Sequence, residues 1–138
     1  MNRRVYFFLA AFFCIAAIVV YKMYNKPHAD LTETKADFSM TAAALLEEFE
    51  TNEETAQSKY LNKIIAVNGT ITEIQQVENK TIWILDTGNP LSTIQCEMDP
   101  RFLEKSKNAA VVGNAVTVQG LCSGKLMDIV MSQVVWKE

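Results

Sequence analysis

The sequence has one histidine, three cysteines, three prolines and five glycines in 138 residues. Each shortage closes a class of function. With His28 alone, lying in a polar stretch ahead of any fold, no Ser/His/Asp or Cys/His catalytic set can be assembled. The same histidine has no nearby His or Cys with which to hold a metal. Cys14, Cys96 and Cys122 form neither a CxxC redox motif nor a dense disulfide scaffold. The glycines at 88, 113, 120 and 124 are too scattered for a phosphate-cradling loop. Paired acids such as Glu47-Glu48 and Glu53-Glu54 are sequence neighbours in helical stretches, so they point apart and make poor acid/base partners. No enzyme, cofactor or metal site is expected.

Basic charge is also short where it would matter. From Pro27 onward nine Lys and Arg face sixteen Asp and Glu, a net charge of −7. Phosphate-backbone binding draws its affinity from clustered cations. Lys105 and Lys107 are the nearest thing to a cluster, so nucleic acid is not an expected partner.

One long apolar run is present. Val5–Tyr21 carries no polar group beyond two tyrosine hydroxyls. Extended to Tyr24 it makes a helix of about 30 Å, the thickness of a hydrocarbon core. Lys22 can snorkel from the last turn, and Tyr6, Tyr21 and Tyr24 suit the interfaces. The end of the run, IVVYKMY, lacks the small residues that signal peptidase needs. Phe13 before Cys14 does not suit lipoprotein processing. The expectation is an uncleaved anchor over 1–24, with a cleaved signal as the rival. Arg3 and Arg4 precede the span, and Lys22 and Lys26 follow it. By the positive-inside rule the domain beyond is placed outside the cytoplasm, in the periplasm. Cys96 and Cys122 are then candidates for a disulfide there; as small buried hydrophobes they serve equally well.

Residues 25–38 are polar and read as a linker, leaving 39–138 as one domain. Of the 112 residues from Pro27 on, 48 are apolar, the proportion of an ordinary globular domain. Met40–Glu50 is rich in helix formers, with Leu45, Leu46 and Phe49 on one stripe. Thr51 and Glu54 fit a capping box for a second helix, Glu53–Tyr60. From Lys63 the period changes to two. Ile65, Val67, Gly69 and Ile71 share one face of a strand, and Gly69 suits a coil or bulge. A turn at 77–80 leads to Thr81–Asp86, then a loop, then Ser92–Met98 with Ile94, Cys96 and Met98 on one face. Asp99 and Pro100 open a short helix within 99–108. Ala115–Cys122 follows, with Val116, Val118, Gly120 and Cys122 together. A turn at Ser123-Gly124-Lys125 precedes a last strand, Leu126–Trp136.

The order β-β-β-α-β-β is that of a five-stranded Greek-key barrel of OB type, behind a helical pair and the N-terminal span. An open sheet is the alternative, but it leaves edges to protect. Internal glycines in the first and fourth barrel strands favour closure.

Particular residues also resemble a family. Asn52, Ala56, Lys59-Tyr60, Lys63, Val67 and Gly69 match the opening pattern of the small bacterial tRNA_anti-like, or OB-fold-like, domain proteins. Cys96 and the run Gly113-Asn114-Ala115-Val116-Thr117-Val118-Gln119-Gly120-Leu121-Cys122-Ser123-Gly124 match the later part. The resemblance spans roughly 40–136 and implies an OB fold, not tRNA binding. Many members carry a further cysteine in the last strand, where this chain has Gln133-Val134-Val135. The haem chaperones of cytochrome c maturation share the layout, but they need a haem-attaching histidine, and His28 lies in the linker.

OB barrels bind along the face of their second and third strands and the flanking loops. That expectation names Trp83, Gln95, Asn79, Lys80, Ser123 and Lys125 as the candidate site. Trp83 would stack on a sugar or peptide ring, although a strand aromatic between Ile82 and Ile84 suits a core equally. The expected function is a membrane-tethered, non-enzymatic binding module of the bacterial envelope for an oligosaccharide, peptide or protein. A structural role in an envelope complex is the alternative, and nucleic-acid binding comes third.

Overall fold

The computed structural model describes residues 3–25 and 30–138. The linker residues Lys26 and His28 lie outside these. Helix α1, Arg3–Tyr24, is long and apolar enough to cross a membrane, and its described side chains are exposed throughout.

From Leu31 the polar linker is already part of the domain. Leu31 is buried. The Gln119 amide donates to the carbonyls of Leu31 at 2.9 Å and Thr34 at 2.5 Å. Lys137 Nζ donates to the Thr32 carbonyl. This stretch covers a glutamine that alternation alone would leave on the outside of its strand.

A short strand, β1 (Phe38–Thr41), comes next and pairs parallel with the first barrel strand. Thr41 ends it and caps helix α2 (Ala42–Thr51), accepting from the Ala44 amide at 3.2 Å. Ala42, Leu45, Leu46 and Phe49 form the buried stripe. Helix α3 (Glu53–Tyr60) is capped by Asn52, whose side chain accepts from the Thr55 amide at 3.0 Å. Thr51 is therefore not the cap. Its hydroxyl returns to the Glu47 carbonyl at 2.8 Å, which prolongs α2 by one residue. Tyr60 joins the two helices: its hydroxyl donates to Glu48 Oε2 at 2.6 Å, and its ring meets Phe38 edge-on at 5.0 Å.

The barrel consists of β2 (Ile64–Val77), β3 (Lys80–Leu85), β4 (Ile94–Met98), β5 (Ala115–Lys125) and β6 (Ile129–Lys137). The sheet runs β1-β2-β3-β4-β6-β5, and β2 also pairs with β5, which closes it. β4 and β6 are parallel and every other barrel pair is antiparallel. Between β4 and β5 lie a 3-10 turn, Pro100–Phe102, and helix α4, Leu103–Ser106. This is the OB fold. Asp99 caps the turn as expected, accepting from the Arg101 amide at 3.0 Å. Closure depends on Gly120: a Cβ there would lie 2.7 Å from Val134 Cγ2 and 3.0 Å from the Ser132 carbonyl oxygen.

Cys96 and Cys122 are free and buried. Each is in register with Met131, Cys96 on one side of β6 and Cys122 on the other. Two strand spacings, about 10 Å, separate them, beyond the roughly 7 Å a disulfide can bridge. They serve as core hydrophobes. Burial pushes the Cys96 thiol up to about 12. We expect a maleimide to leave both thiols unmodified in the folded full-length chain at pH 8 and to label them on denaturation. Labelling at equal rates before and after would contradict this packing.

Candidate binding face

The residues expected to form one site are divided by the pleat. Trp83 and Leu85 of β3 point into the core, as do Ile94, Cys96 and Met98 of β4. Lys80, Ile82, Ile84, Gln95 and Glu97 alternate with them and take the outer face. In register, Ile82 lies opposite Glu97 and Ile84 opposite Gln95. On the next strand Glu73 stands beside Ile84 and Gln75 beside Ile82. Val130 of β6 borders Gln95. The face is thus a strip of half-buried Ile82 and Val130 with Ile84 buried between them, flanked by Glu73, Gln75, Gln95 and Glu97. Trp83 is no platform on it: the ring is fully buried and is the largest such side chain. Its Nε1 has no hydrogen-bond partner.

One end of the face is the β5–β6 turn at 126–128. The turn comes three residues later than Ser123-Gly124-Lys125, which belong to β5. Gly124, at φ +103, marks a register shift in that strand, and the Gln57 amide fills the space beside it, 2.5 Å from where a Cβ would be. Asp128 organises the turn. Its Oδ1 accepts from the Thr93 amide at 2.7 Å and the Thr93 hydroxyl at 3.0 Å, and its Oδ2 from the Gln95 amide at 2.9 Å. Gln95 is thereby fixed. Ser92 Oγ donates to the Met127 carbonyl at 3.1 Å, tying the β3–β4 loop to the turn. Leu91, Leu126 and Met127 are left 87, 89 and 82 % exposed at this end.

The other end is the β2–β3 hairpin with Asn79 and Lys80. Glu78 takes the left-handed conformation there at φ +55. Lys80 Nζ pairs with Glu97 Oε1 at 2.9 Å. Ser123 belongs to neither end: it lies on β5, beyond β6, and its hydroxyl meets that of Ser132 at 3.2 Å. Of the residues named from the sequence, Gln95 and Lys80 lie on the outer face, Asn79 at the hairpin and Lys125 at the end of β5 beside the turn. Asp128, Glu97, Ile82 and the exposed Leu91, Leu126 and Met127 lie beside them and were not named from the sequence. Among the described residues no three His, Cys, Asp or Glu side chains gather to hold a metal.

The hydrogen bonds from the Thr93 backbone, then from the Thr93 and Gln95 side chains, hold the Asp128 carboxyl below its ordinary value of 3.8. Its folded pKa lies below its unfolded one, so its contribution to stability is whole above the unfolded value. That contribution is lost as pH falls through the folded value. We expect Asp128→Asn to lower the melting temperature at neutral pH and to flatten its decline below pH 4. An unchanged acid profile would exclude Asp128 as the anchor of the turn.

A solved structure is similar in fold, and a second matches more loosely. The first is a lipoprotein from Klebsiella pneumoniae to which nucleic-acid binding is ascribed. It is 18 % identical over 72 % of this chain and 91 % of that one, with a TM-score of 0.60. The second is that of yeast Stn1 and Ten1, 17 % identical over 78 % of this chain and 66 % of that one, with a TM-score of 0.44. No curated protein matches the sequence. The tRNA_anti-like family model matches residues 1–134, through the apolar helix, the helical pair and nearly all of the barrel. The chain belongs to the tRNA_anti-like family.

Proposed function

We propose that this chain is a membrane-tethered, non-enzymatic binding module that receives a protein segment on the outer face of its barrel. One observation carries the reading: outside α1, the large apolar side chains exposed among the described residues are leucines, valines and one methionine, with no aromatic ring. Sugars and single-stranded nucleic acids are held largely by exposed aromatic rings, and nucleic acid also needs a cationic groove. Here the Trp83 ring is buried, and Glu73, Glu97 and Asp128 outnumber Lys80 and Lys125 along the face. An aliphatic strip with an acidic rim and exposed leucines at one end suits an apolar, basic segment of another protein. Helix α1 supplies the tether, and the charges flanking it favour a periplasmic domain.

A photo-crosslinker at position 82 of the full chain tests this in native membranes, with position 53 on α3 as control. A discrete protein adduct from 82 alone is expected. Adducts with nucleic acid, or the same products from both positions, would overturn the reading. The nucleic-acid function ascribed to the Klebsiella protein is thus tested in the same experiment.

A further inference from the structure

At the hairpin end of the face a cavity of about 310 Å3 is lined by Lys80, Glu97, Met98, Pro100 and Gln133, among others. Gln133 is unusual in two ways. β6 uses three steps, Met131 to Val134, where β4 uses two, Cys96 to Met98. It makes the same detour against β5, where Val135 and Ser132 face Gln119 and Leu121. Gln133 absorbs the extra step at φ +52, a conformation glycine takes at less cost. The backbone alone therefore does not call for a glutamine. The second feature is its side chain: Oε1 is buried with no hydrogen-bond partner. A carbonyl oxygen can only accept, so a guest that meets it as the Gln133 side chain turns into the cavity must donate.

Asn79 and Glu97 also bring acceptors to the cavity, and of the two only Glu97 is charged. Asp99 also lines the cavity, but the Arg101 guanidinium already holds it through Nε at 3.0 and 3.1 Å. Lys80 Nζ, 2.9 Å from Glu97, shows that a cation sits well there, and at 59 % exposure its side chain is readily displaced. A single ammonium serves Glu97 and leaves Gln133 unserved, as Lys80 does. A planar guanidinium can reach two acceptors with parallel donors, and its aliphatic stem suits a wall of Met98 and Pro100. We infer that this cavity is a subsite for an arginine side chain of the partner segment, displacing Lys80 from Glu97 and donating to Gln133 Oε1. The inference rests on the protein-binding reading above and names the residue that the site selects.

The probe is Nα-acetyl-arginine methylamide, with its neutral isostere, the citrulline derivative, as control. The full chain is held in phosphatidylcholine nanodiscs, and the side-chain amide resonances of Gln133 are followed. A saturable shift is expected with arginine, and binding about tenfold weaker with citrulline, the usual worth of a charge-assisted pair. Glu97→Gln should weaken arginine binding by about tenfold, while Lys80→Gln, which removes the competitor, should strengthen it by about threefold. Equal responses to the two probes, no response, or weaker binding in Lys80→Gln would each overturn the subsite. A silent Gln133 with position 82 still crosslinking to protein would remove the arginine subsite alone. Silence in both experiments would remove the protein-binding reading as well.

Discussion

Gly120→Ala is expected to destabilise the domain by about 3 kcal/mol, the upper range for overpacking a filled core. A methyl group there meets Val134 Cγ2 at 2.7 Å, the Ser132 carbonyl oxygen at 3.0 Å and Val134 Cα at 3.2 Å. Two of those three atoms are backbone, so no rotamer change relieves the contact. The strands that must separate are β5 and β6, which pair antiparallel from one end of β6 to the other. Gly88→Ala is the matched control. Its φ of +81 carries strain, but nothing lies within 4 Å of the added carbon. Its cost should stay near 1 kcal/mol, the ordinary penalty of a left-handed alanine. Chemical denaturation of the full chain in nanodiscs, followed by circular dichroism, measures both. Equal losses at the two positions would mean that the β5–β6 contact does not limit closure.

Trp83→Ala should cost about 4 kcal/mol, in the range for emptying a buried aromatic site. Against a total stability of roughly 5–15 kcal/mol this leaves a marginal domain. Trp83→Phe should lose less than its volume change suggests, because the substitution also removes a buried donor that has no acceptor. The pair of variants separates core from surface roles. A stacking tryptophan on an open face would leave the melting temperature almost unchanged in both variants. A core tryptophan gives a large loss in one and a small loss in the other.

Much of the barrel is legible in the order of residues because one face of each strand is buried and side chains alternate. Ile94, Cys96 and Met98 declare their common face, and Asp99-Pro100 marks the break after them. What alternation leaves undecided is decided by contacts distant in sequence. Trp83 is flanked by isoleucines, and only its register with Cys96 and Ile74 turns it inward. The separation of Cys96 from Cys122 depends on which strand lies between them. β1 is four residues long and abuts an alanine-rich helix, so its alternation of Phe38 and Met40 with Ser39 and Thr41 is swamped by helical propensity. The Gly124 position suggested a turn because a glycine between Ser and Lys has two uses, and the Gln57 side chain selects the other. The Gln133 bulge did leave a trace: apolar spacing along β6 goes from two, Ile129 to Met131, to three, Met131 to Val134. A strand that skips a beat in this way carries an extra residue.

The docking of Leu31 also limits where the domain can work. With α1 in a bilayer, as proposed, only six residues separate Tyr24 from Leu31. Fully stretched, they bridge at most about 25 Å. A partner of the kind proposed must therefore come to the lipid surface to be met, because so short a leash rules out a reach across the compartment. A receptor lodged in the same bilayer, or one skimming it, falls within range, whereas a target fixed at a distant wall does not.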